Sequence, residues 1–424
     1  MGAYAAPVAG EWIAERGWVA PDYGGACFAS LPGTITKLLC GTALGPTLPD
    51  GLAGAPGARH ERVVLVYFDA FGLEAAERHS AHPLLARAAR DGRISRLTSQ
   101  FPSTTTVHMT TIHTGAPVAE HGLYEWFVLE PSLERLIAPL PFTYAGDGGA
   151  PLEIDPSALY PQPTIYEWLG ARGVTSAVLG SMVFAGSPTS RALLRGASEQ
   201  LGFLALEDGL AELAGAMRRL AAPAYGFAYI DALDTLLHKV GPGDTQRTGV
   251  DAEIELILDV IERALLDALP PGTLVLLTAD HGMTPVSPTQ TIYLNSGDGG
   301  ERVAALVRRG REPGGHPLVP AGSCRDLFIH AAPGAADELV DALSRMLGER
   351  AEVRRSEELL AAGLFGPQPG PRLRERLADV VVLPALGEAV YWLTPGRFRQ
   401  AMWGQHGGLT AAEMEIPLIA LTAG

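Results

Sequence analysis

The feature that most restricts how this chain folds is the alternation of short apolar runs with helix-type segments. Four runs are typical of buried strands: "RVVLVYF" (62–68), "GVTSAVLGS" (173–181), "AYGFAYI" (224–230) and "GTLVLLT" (272–278). Buried strands that alternate with helices predict a mostly parallel sheet with helices on both faces. We therefore expect a doubly wound α/β fold. Ligands of such sheets gather at the carboxyl ends of the strands.

Helix-type segments lie between and around these runs, at 82–92, 163–173, 206–222 and 250–269. The last two place their apolar residues at helical spacing. The first stops at Gly92, and the second has Pro163 near its start. Both are positions that these residue types favour at helix ends.

Acidic residues follow three of the predicted strands at that edge: Asp69, Asp231 and Asp280. An aspartate after a strand is often only the N-cap of the next helix, and we favour that interpretation for Asp231. It is much weaker for Asp280, because His281 follows at once and Gly282 allows a tight turn. The adjacent pair needs a hydrogen-bond network, a catalytic relay or a metal ion as its partner.

A second acid–imidazole pair lies in "DALDTLLHKV", where Asp234 and His238 are four residues apart and share one helix face. In isolation this spacing indicates a surface ion pair or a capped helix end. Beside Asp69, Asp280 and His281 it has another meaning, because clustered carboxylates repel one another without a cation. A bound divalent metal is the economical explanation.

The threonine-rich stretch "FPSTTTVHMTTIHTG" (101–115) supplies hydroxyl groups where a helix that runs to Gly115 would begin. The default interpretation is that at least one of Thr104 to Thr106 is an N-cap. Functionally, backbone amides at a helix start bind phosphate. A threonine hydroxyl becomes a good nucleophile only when a base or a metal lowers its pKa.

These motifs together resemble the alkaline phosphatase superfamily, and within it the type I phosphodiesterase/nucleotide pyrophosphatase branch. The resemblance extends from about Arg62 to the carboxyl terminus. It is carried, in order, by Asp69, by "FPSTTT…TG" with "EHG" downstream, and by "DTLLHKVGP", "TADHGM" and "WGQHGG".

The resemblance implies two zinc ions, with manganese as the main competitor. One ion would be held by Asp234, His238 and His406, and the other by Asp69, Asp280 and His281. The family's spacing from Pro102 and Gly115 selects Thr105 as the nucleophile, over Thr104 and Thr106. The resemblance also implies a mechanism, namely in-line displacement at phosphorus through a phosphothreonine intermediate. The substrate would be a small phosphorylated molecule.

One position departs from the family pattern. Nucleotide pyrophosphatases carry an asparagine just after "HG" that helps to hold a phosphate oxygen, whereas this sequence has Trp126. The indole favours an apolar wall of the substrate site. The resemblance therefore does not imply specificity for nucleotides. It still implies the metal chemistry. His121, His108 and His113 are interpreted as structural or packing residues.

The chain is longer than a single compact core requires, so we expect two domains or one with an insertion. Residues 282–405 are too many for a loop between His281 and His406. We expect an inserted α+β cap (284–402), a catalytic core (61–283 and 403–424) and an N-terminal wrapping segment (1–60). Within the cap, strands are expected in 324–331 and 377–392, helices in 335–348 and 356–363, and flexible loops at "REPGGHP" (311–317) and "GPQPGP" (366–371).

Charge and composition limit the partners. A formal net charge of −15 argues against binding of a nucleic-acid duplex, because that affinity depends on Lys and Arg. Cys27, Cys40 and Cys324 form no disulfide or metal framework, which favours a reduced compartment. We see no signal peptide or membrane span and expect a cytoplasmic protein. The sequence does not indicate an oligomeric state.

The sequence-based hypothesis is a two-metal hydrolase that cleaves phosphodiester or pyrophosphate bonds. A phosphomonoesterase or phosphonate hydrolase on the same scaffold is the alternative, because the metal ligands do not separate these activities. A sulfatase and a metal-dependent mutase are disfavoured, since the nucleophile position holds Thr rather than Cys or Ser. A non-catalytic metal-binding protein is the contrasting class.

Overall fold

A computed structural model of the chain describes residues 10–243, 247–310 and 315–424. Residues 1–9 of the predicted wrapping segment and 311–314 of the predicted "REPGGHP" loop lie outside the described residues. None of the helices in the described ranges is long and apolar enough to span a lipid bilayer. All three cysteines are free thiols.

The strands are numbered in chain order. They are β1 Arg62–Phe68, β2 Arg93–Thr98, β3 Val128–Glu130, β4 Arg135–Ala138, β5 Thr143–Tyr144, β6 Thr175–Ser181, β7 Glu199–Phe203, β8 Ala224–Ile230, β9 Leu274–Thr278, β10 Thr284–Pro285, β11 Ile292–Tyr293, β12 Ala321–Gly322, β13 Leu327–Ile329, β14 Ala351–Arg355, β15 Val380–Pro384, β16 Val390–Tyr391, β17 Gly404–Gln405 and β18 Glu415–Thr422.

The α-helices are numbered in the same way. They are α1 Glu11–Glu15, α2 Leu31–Cys40, α3 Leu73–Arg78, α4 Pro83–Asp91, α5 Thr105–Thr114, α6 Val118–His121, α7 Pro156–Leu159, α8 Ile165–Gly170, α9 Pro188–Leu193, α10 Leu206–Arg219, α11 Ala232–Val240, α12 Arg247–Val260, α13 Gly300–Ala305, α14 Ala336–Leu347, α15 Ser356–Ala361, α16 Pro371–Arg376 and α17 Ala411–Met414. A π-helical turn, Ile261–Leu265, and a 3-10 turn, Leu266–Ala268, continue α12.

The central sheet has seven strands in the order β2-β18-β9-β1-β8-β6-β7. Every pair within β9-β1-β8-β6-β7 is parallel, and β18 alone runs against its neighbours. The prediction of an α/β fold with a mostly parallel sheet is confirmed. Residues 63–68 of β1 are all buried, and successive side chains point to opposite faces, so both faces of the sheet centre are covered.

Three strands of this sheet were not identified from the sequence: β2, β7 and β18. The two edge strands β2 and β7 are partly exposed and so lack a continuous apolar run. The third carries Pro417, which cannot donate a ladder hydrogen bond. The structure accommodates it because Pro417 pairs only with β2, while the pairing of β18 with β9 begins at Leu418.

A second, smaller sheet lies in the part of the chain predicted as the cap. It has the order β12-β13-β15-β14, with antiparallel pairs, and α14 packs beside β14. The apolar core around it also takes residues from β3 and β4, which precede 284. The structure therefore joins an earlier segment to this layer, and the domain division at 284–402 stays a prediction.

The described part of the N-terminal segment touches both layers. Helix α2 packs against β1 and α5 of the central layer. Arg16 forms an ion pair with Glu352 of β14, at 3.0 Å between Nη2 and Oε2. The segment 10–60 is thus attached to both layers.

Candidate metal centre

The carboxyl ends of three neighbouring strands bring the acidic side chains to one edge of the sheet. Strands β8, β1 and β9 lie side by side, so that Phe68 pairs with Ile230 and Tyr67 with Thr278. Asp69 directly follows β1, and its amide donates to the carbonyl of Ile230 at 3.0 Å. Asp280 follows β9 by two residues. Helix α11 follows β8 and carries the pair four residues apart, Asp234 and His238.

The last histidine reaches this edge from the far end of the chain. Strand β17 pairs with β10, the short strand that follows "TADHGM", and this pairing returns the chain to the sheet edge. His406 comes directly after β17. Its ring stacks on that of His281, with centroids 3.6 Å apart and planes inclined by 12°.

The donor atoms form two overlapping groups. The ligand atoms of Asp69, Asp280 and His281 all lie within 4.8 Å of one another, and so do those of Asp234, His281 and His406. His281 Nε2 is 3.1 Å from Asp280 Oδ2 and 3.5 Å from Asp69 Oδ1. Asp234 Oδ1 is 3.4 Å from Nε2 of His238 and 3.8 Å from Nε2 of His406.

The three imidazoles share one orientation. In each, Nδ1 donates to a backbone carbonyl oxygen 2.9 Å away, so that Nε2 faces the carboxylates. The acceptors are Gly404 for His238, Gly282 for His281 and Ser103 for His406. A histidine that binds metal through one ring nitrogen is normally held by such a bond from the other.

The carboxylates that face these rings carry oxygen atoms without hydrogen-bond partners. Asp69 Oδ1, Asp234 Oδ1 and Asp280 Oδ2 are buried and have no hydrogen-bond partner. A buried carboxylate oxygen without a partner is costly unless a cation compensates it. The mixture of carboxylate oxygens and imidazole nitrogens suits zinc or manganese, so the residues present fit a divalent metal centre.

The pKa values of the clustered side chains are also shifted by burial and by their neighbours. Burial, reinforced by the carboxylates of Asp280 and Asp234, raises the pKa of Asp69 well above its usual range. Burial acts on Asp280 in the same direction, but the neighbouring imidazole of His281 outweighs it and lowers the pKa of Asp280. Burial and the charges of His281 and His238 hold the pKa of His406 well below its usual value.

Thr105 is the first residue of α5, and its Oγ1 lies 3.4 Å from Nε2 of His281. The side chain keeps 9% exposure, whereas Thr106 is fully buried. Thr104 occupies the N-cap position, but its side chain makes no capping hydrogen bond. The nearby carboxylate of Glu125 accepts from the amide of Trp126, and burial raises the pKa of Glu125 to about 7.

A cavity of about 630 Å³ opens beside Thr105. Trp126 forms part of its wall and is 42% exposed. Asp231 also lines it: this residue occupies the N-cap of α11, as favoured from the sequence, although its side chain makes no capping bond. Asp231 belongs to neither donor group.

Other residues of the site were missed in the sequence. The Tyr229 hydroxyl donates to Asp69 Oδ2 at 2.5 Å, and Ser103 supplies the carbonyl that orients His406. The only signal for Tyr229 was its place one residue before the end of β8, beside the acidic edge of the sheet. No comparable local signal marks Ser103 or the buried acid Glu125.

Comparison with known proteins identifies the family of the chain. The family described as Type I phosphodiesterase / nucleotide pyrophosphatase matches residues 63–391. A search of curated protein sequences finds no match.

Solved structures with the same fold include murine ectonucleotide pyrophosphatase / phosphodiesterase 5, at 19% identity and a TM-score of 0.62, covering 85% of this chain and 87% of that one. An inactive threonine-to-alanine variant of the murine protein was solved in complex with AMP. Phosphonoacetate hydrolase from Sinorhizobium meliloti 1021, in complex with phosphonoformate, matches at 19% identity and a TM-score of 0.59, over 86% of this chain and 91% of that one.

Proposed function

Because the chain belongs to the type I phosphodiesterase / nucleotide pyrophosphatase family, we propose that it is a two-metal hydrolase that cleaves phosphodiester or pyrophosphate bonds through a phosphothreonine on Thr105. One observation carries the proposal. Three unpaired carboxylate oxygens and three oriented imidazoles surround a single region, and a threonine hydroxyl borders it.

Two sets of residues would hold the ions. Asp69, Asp280 and His281 would hold one, and Asp234, His238 and His406 the other, with Thr105 beside the first. When bound, the two cations would lower the pKa of the threonine hydroxyl and neutralise charge that develops on the transferred phosphoryl group. Zinc is the expected metal, and manganese is the competitor.

The chain's own residues supply the rest of the chemistry. Thr105 Oγ gives its proton to solvent and attacks phosphorus, so that an Oγ–P bond forms while the bond to the leaving oxygen breaks and that oxygen takes a proton from solvent. Water then cleaves the Oγ–P bond and restores the hydroxyl. Thr105 begins a helix of ten residues, and the free amides of its first turn favour a phosphoryl oxygen. The Trp126 indole closes the site on the side of the cavity.

Two features of the solved relatives support parts of this proposal. The inactive variant of the murine protein lacks a threonine side chain, and a threonine is the residue assigned here as nucleophile. The likeness to phosphonoacetate hydrolase favours a phosphonate hydrolase as the second candidate, on the same metal centre. In either case the substrate is a small phosphorylated molecule.

The test combines metal analysis with a substrate panel. We expect about two zinc ions per chain and hydrolysis of bis(4-nitrophenyl) phosphate in preference to 4-nitrophenyl phosphate and to a phosphonate. Thr105→Ala should keep the metal and the fold and lose hydrolysis by about three orders of magnitude. Thr114→Ala, at the other end of α5, is the matched control. A Thr105→Ala protein with unchanged turnover rejects the nucleophile, and a metal-free protein that still turns over rejects the mechanism.

A further inference from the structure

The cavity beside Thr105 has largely apolar walls. Trp126, Phe184 and Tyr229 contribute aromatic rings to it, and the rings of Phe184 and Tyr229 lie 6.5 Å apart. The loop after β6 forms its rim, where Met182 is 49% and Val183 82% exposed. Exposed apolar side chains at the mouth of a cavity indicate a surface that binds something apolar.

The charged side chains of the cavity wall are acidic. Among the described residues that line it there are two carboxylates, Asp231 and Asp234, and no lysine or arginine. His113 adds no positive charge, because burial lowers its pKa to about 3. An anionic group in the part of the cavity lined by Asp231 would therefore face that carboxylate without a lysine or arginine side chain to compensate it, which is unfavourable in a partly desolvated site.

Four polar side chains of the wall are already engaged within the chain. Their hydrogen bonds are Ser187 Oγ to Ser190 Oγ, Ser190 Oγ to the Phe184 carbonyl, Thr189 Oγ1 to the Pro139 carbonyl and Gln200 Nε2 to the Leu194 carbonyl. A ligand that needs donors would have to compete with these bonds. The wall is thus arranged for contact with apolar atoms and not for directional recognition of a polar group.

We propose that this cavity binds the organic group of the phosphorylated substrate, and that this group is uncharged and apolar, such as an aryl or branched alkyl group. A group that carries a second phosphate or a carboxylate is disfavoured by charge, so that of the two proposed bond types the cavity fits the phosphodiester better than the pyrophosphate. The inference rests on the proposed function, because the metal centre that borders the cavity would hold the phosphoryl end. Asp234 joins the two, as it lines the cavity and belongs to a donor group.

The experiment compares two isosteric phosphonates on the zinc-loaded protein. The uncharged probe is 3-methylbutylphosphonate, and the charged one is 3-phosphonopropionate. Calorimetry should give the uncharged probe at least tenfold tighter binding. In the series methyl-, ethyl-, propyl- and butylphosphonate, affinity should rise by about threefold to fourfold with each methylene.

A rim variant tests whether charge in the cavity is the cause. Val183→Lys should strengthen binding of 3-phosphonopropionate about fivefold or more and weaken the preference for the uncharged probe. Leu386→Lys is the matched control, because Leu386 is an exposed leucine outside the cavity lining, and it should change neither affinity. Phe184→Ala should lower the affinity for butylphosphonate and leave that for methylphosphonate unchanged.

The outcomes separate this inference from the proposed function. Equal affinities, or tighter binding of 3-phosphonopropionate, overturn the inference, and hydrolysis of bis(4-nitrophenyl) phosphate by the same protein leaves the function standing. Equal responses of the Val183→Lys and Leu386→Lys variants also overturn it. A protein that prefers the uncharged probe but hydrolyses none of the phosphoesters supports the apolar cavity and rejects the enzyme.

Discussion

The rings of His281 and His406 stack face to face, 3.6 Å apart, although 124 residues separate them in the chain. Both rings are buried, and both donate Nδ1–H to a carbonyl. Two imidazolium ions in this arrangement would repel each other strongly, so the stack requires that at least one ring is neutral. Neutral imidazole is also the form that binds metal.

The first prediction concerns that stack. His406→Ala should remove one of the proposed ligands of the ion beside Asp234, while the donor group of Asp69, Asp280 and His281 stays complete. We expect metal content to fall from about two ions per chain to about one, and hydrolysis to fall at least a hundredfold. Atomic emission on the dialysed protein measures the first. Retention of both ions would exclude His406 as a ligand, and His316→Ala, at an exposed position, is the control.

The second prediction concerns the hydroxyl that supports Asp69. Tyr229→Phe removes the hydrogen bond from the tyrosine hydroxyl to Asp69 Oδ2. Because Asp69 Oδ1 has no partner, both side-chain oxygens of this buried carboxylate would then lack a side-chain donor. Loss of such a supporting bond typically lowers metal affinity by about tenfold to a hundredfold. Competition with a zinc chelator measures it. Tyr225→Phe is the matched control on the same strand, because the Tyr225 hydroxyl is buried without a partner; equal affinities for the two variants would contradict the role of Tyr229.

The sequence predicts well those features of the fold and the site that depend on residues close together in the chain. The run that forms β1 and the acid after it are adjacent, so Asp69 was found at a strand end; likewise α5 ends at Gly115, where the chain enters the left-handed conformation that glycine favours. The spacing of Asp234 and His238 predicted a shared helix face, and the structure has both on α11.

What the sequence does not reveal depends on contacts between distant segments. Tyr229 and Asp69 are 160 residues apart, and Ser103 and His406 are 303 apart. These contacts follow from which strands become neighbours, and no local pattern specifies that. The same holds for the smaller layer, whose core joins β3 and β4 to residues far beyond 284.

The third prediction concerns a fully buried ion pair that holds the segment after His406. Arg325 donates to both carboxylate oxygens of Glu413 at 3.0 Å, and neither side chain is exposed. Glu413 also accepts from the amide of Gly408 and the hydroxyl of Thr410.

Arg325→Met would leave the Glu413 charge buried without its cation, which typically costs about 3–5 kcal/mol. Urea unfolding of the chelated protein measures this. Arg350→Met, which breaks the exposed pair with Glu388, should cost less than about 1 kcal/mol. Comparable losses in the two variants would show that the buried pair has no special part in stability.

The fourth prediction is an acid-dependent loss of stability that originates at His330. This side chain is 2% exposed, its Nε2 has no partner, and burial, with the nearby charge of Arg308, lowers its pKa to about 3. The pKa in the unfolded chain is about 6.5. Between these values the unfolded chain binds a proton that the folded chain does not, so the free energy of unfolding rises with pH.

The contribution of His330 is therefore fully present above about pH 6.5 and is lost as the pH falls towards 3, by about 1.4 kcal/mol per pH unit. His330→Phe should remove this part of the slope. Urea unfolding between pH 7.5 and 4.5, with a chelator present so that metal release does not contribute, compares the variant with the wild type and with His316→Phe, at an exposed position. The slope should decrease only in the His330 variant; a slope that stays equal in all three proteins would mean that His330 does not limit acid stability.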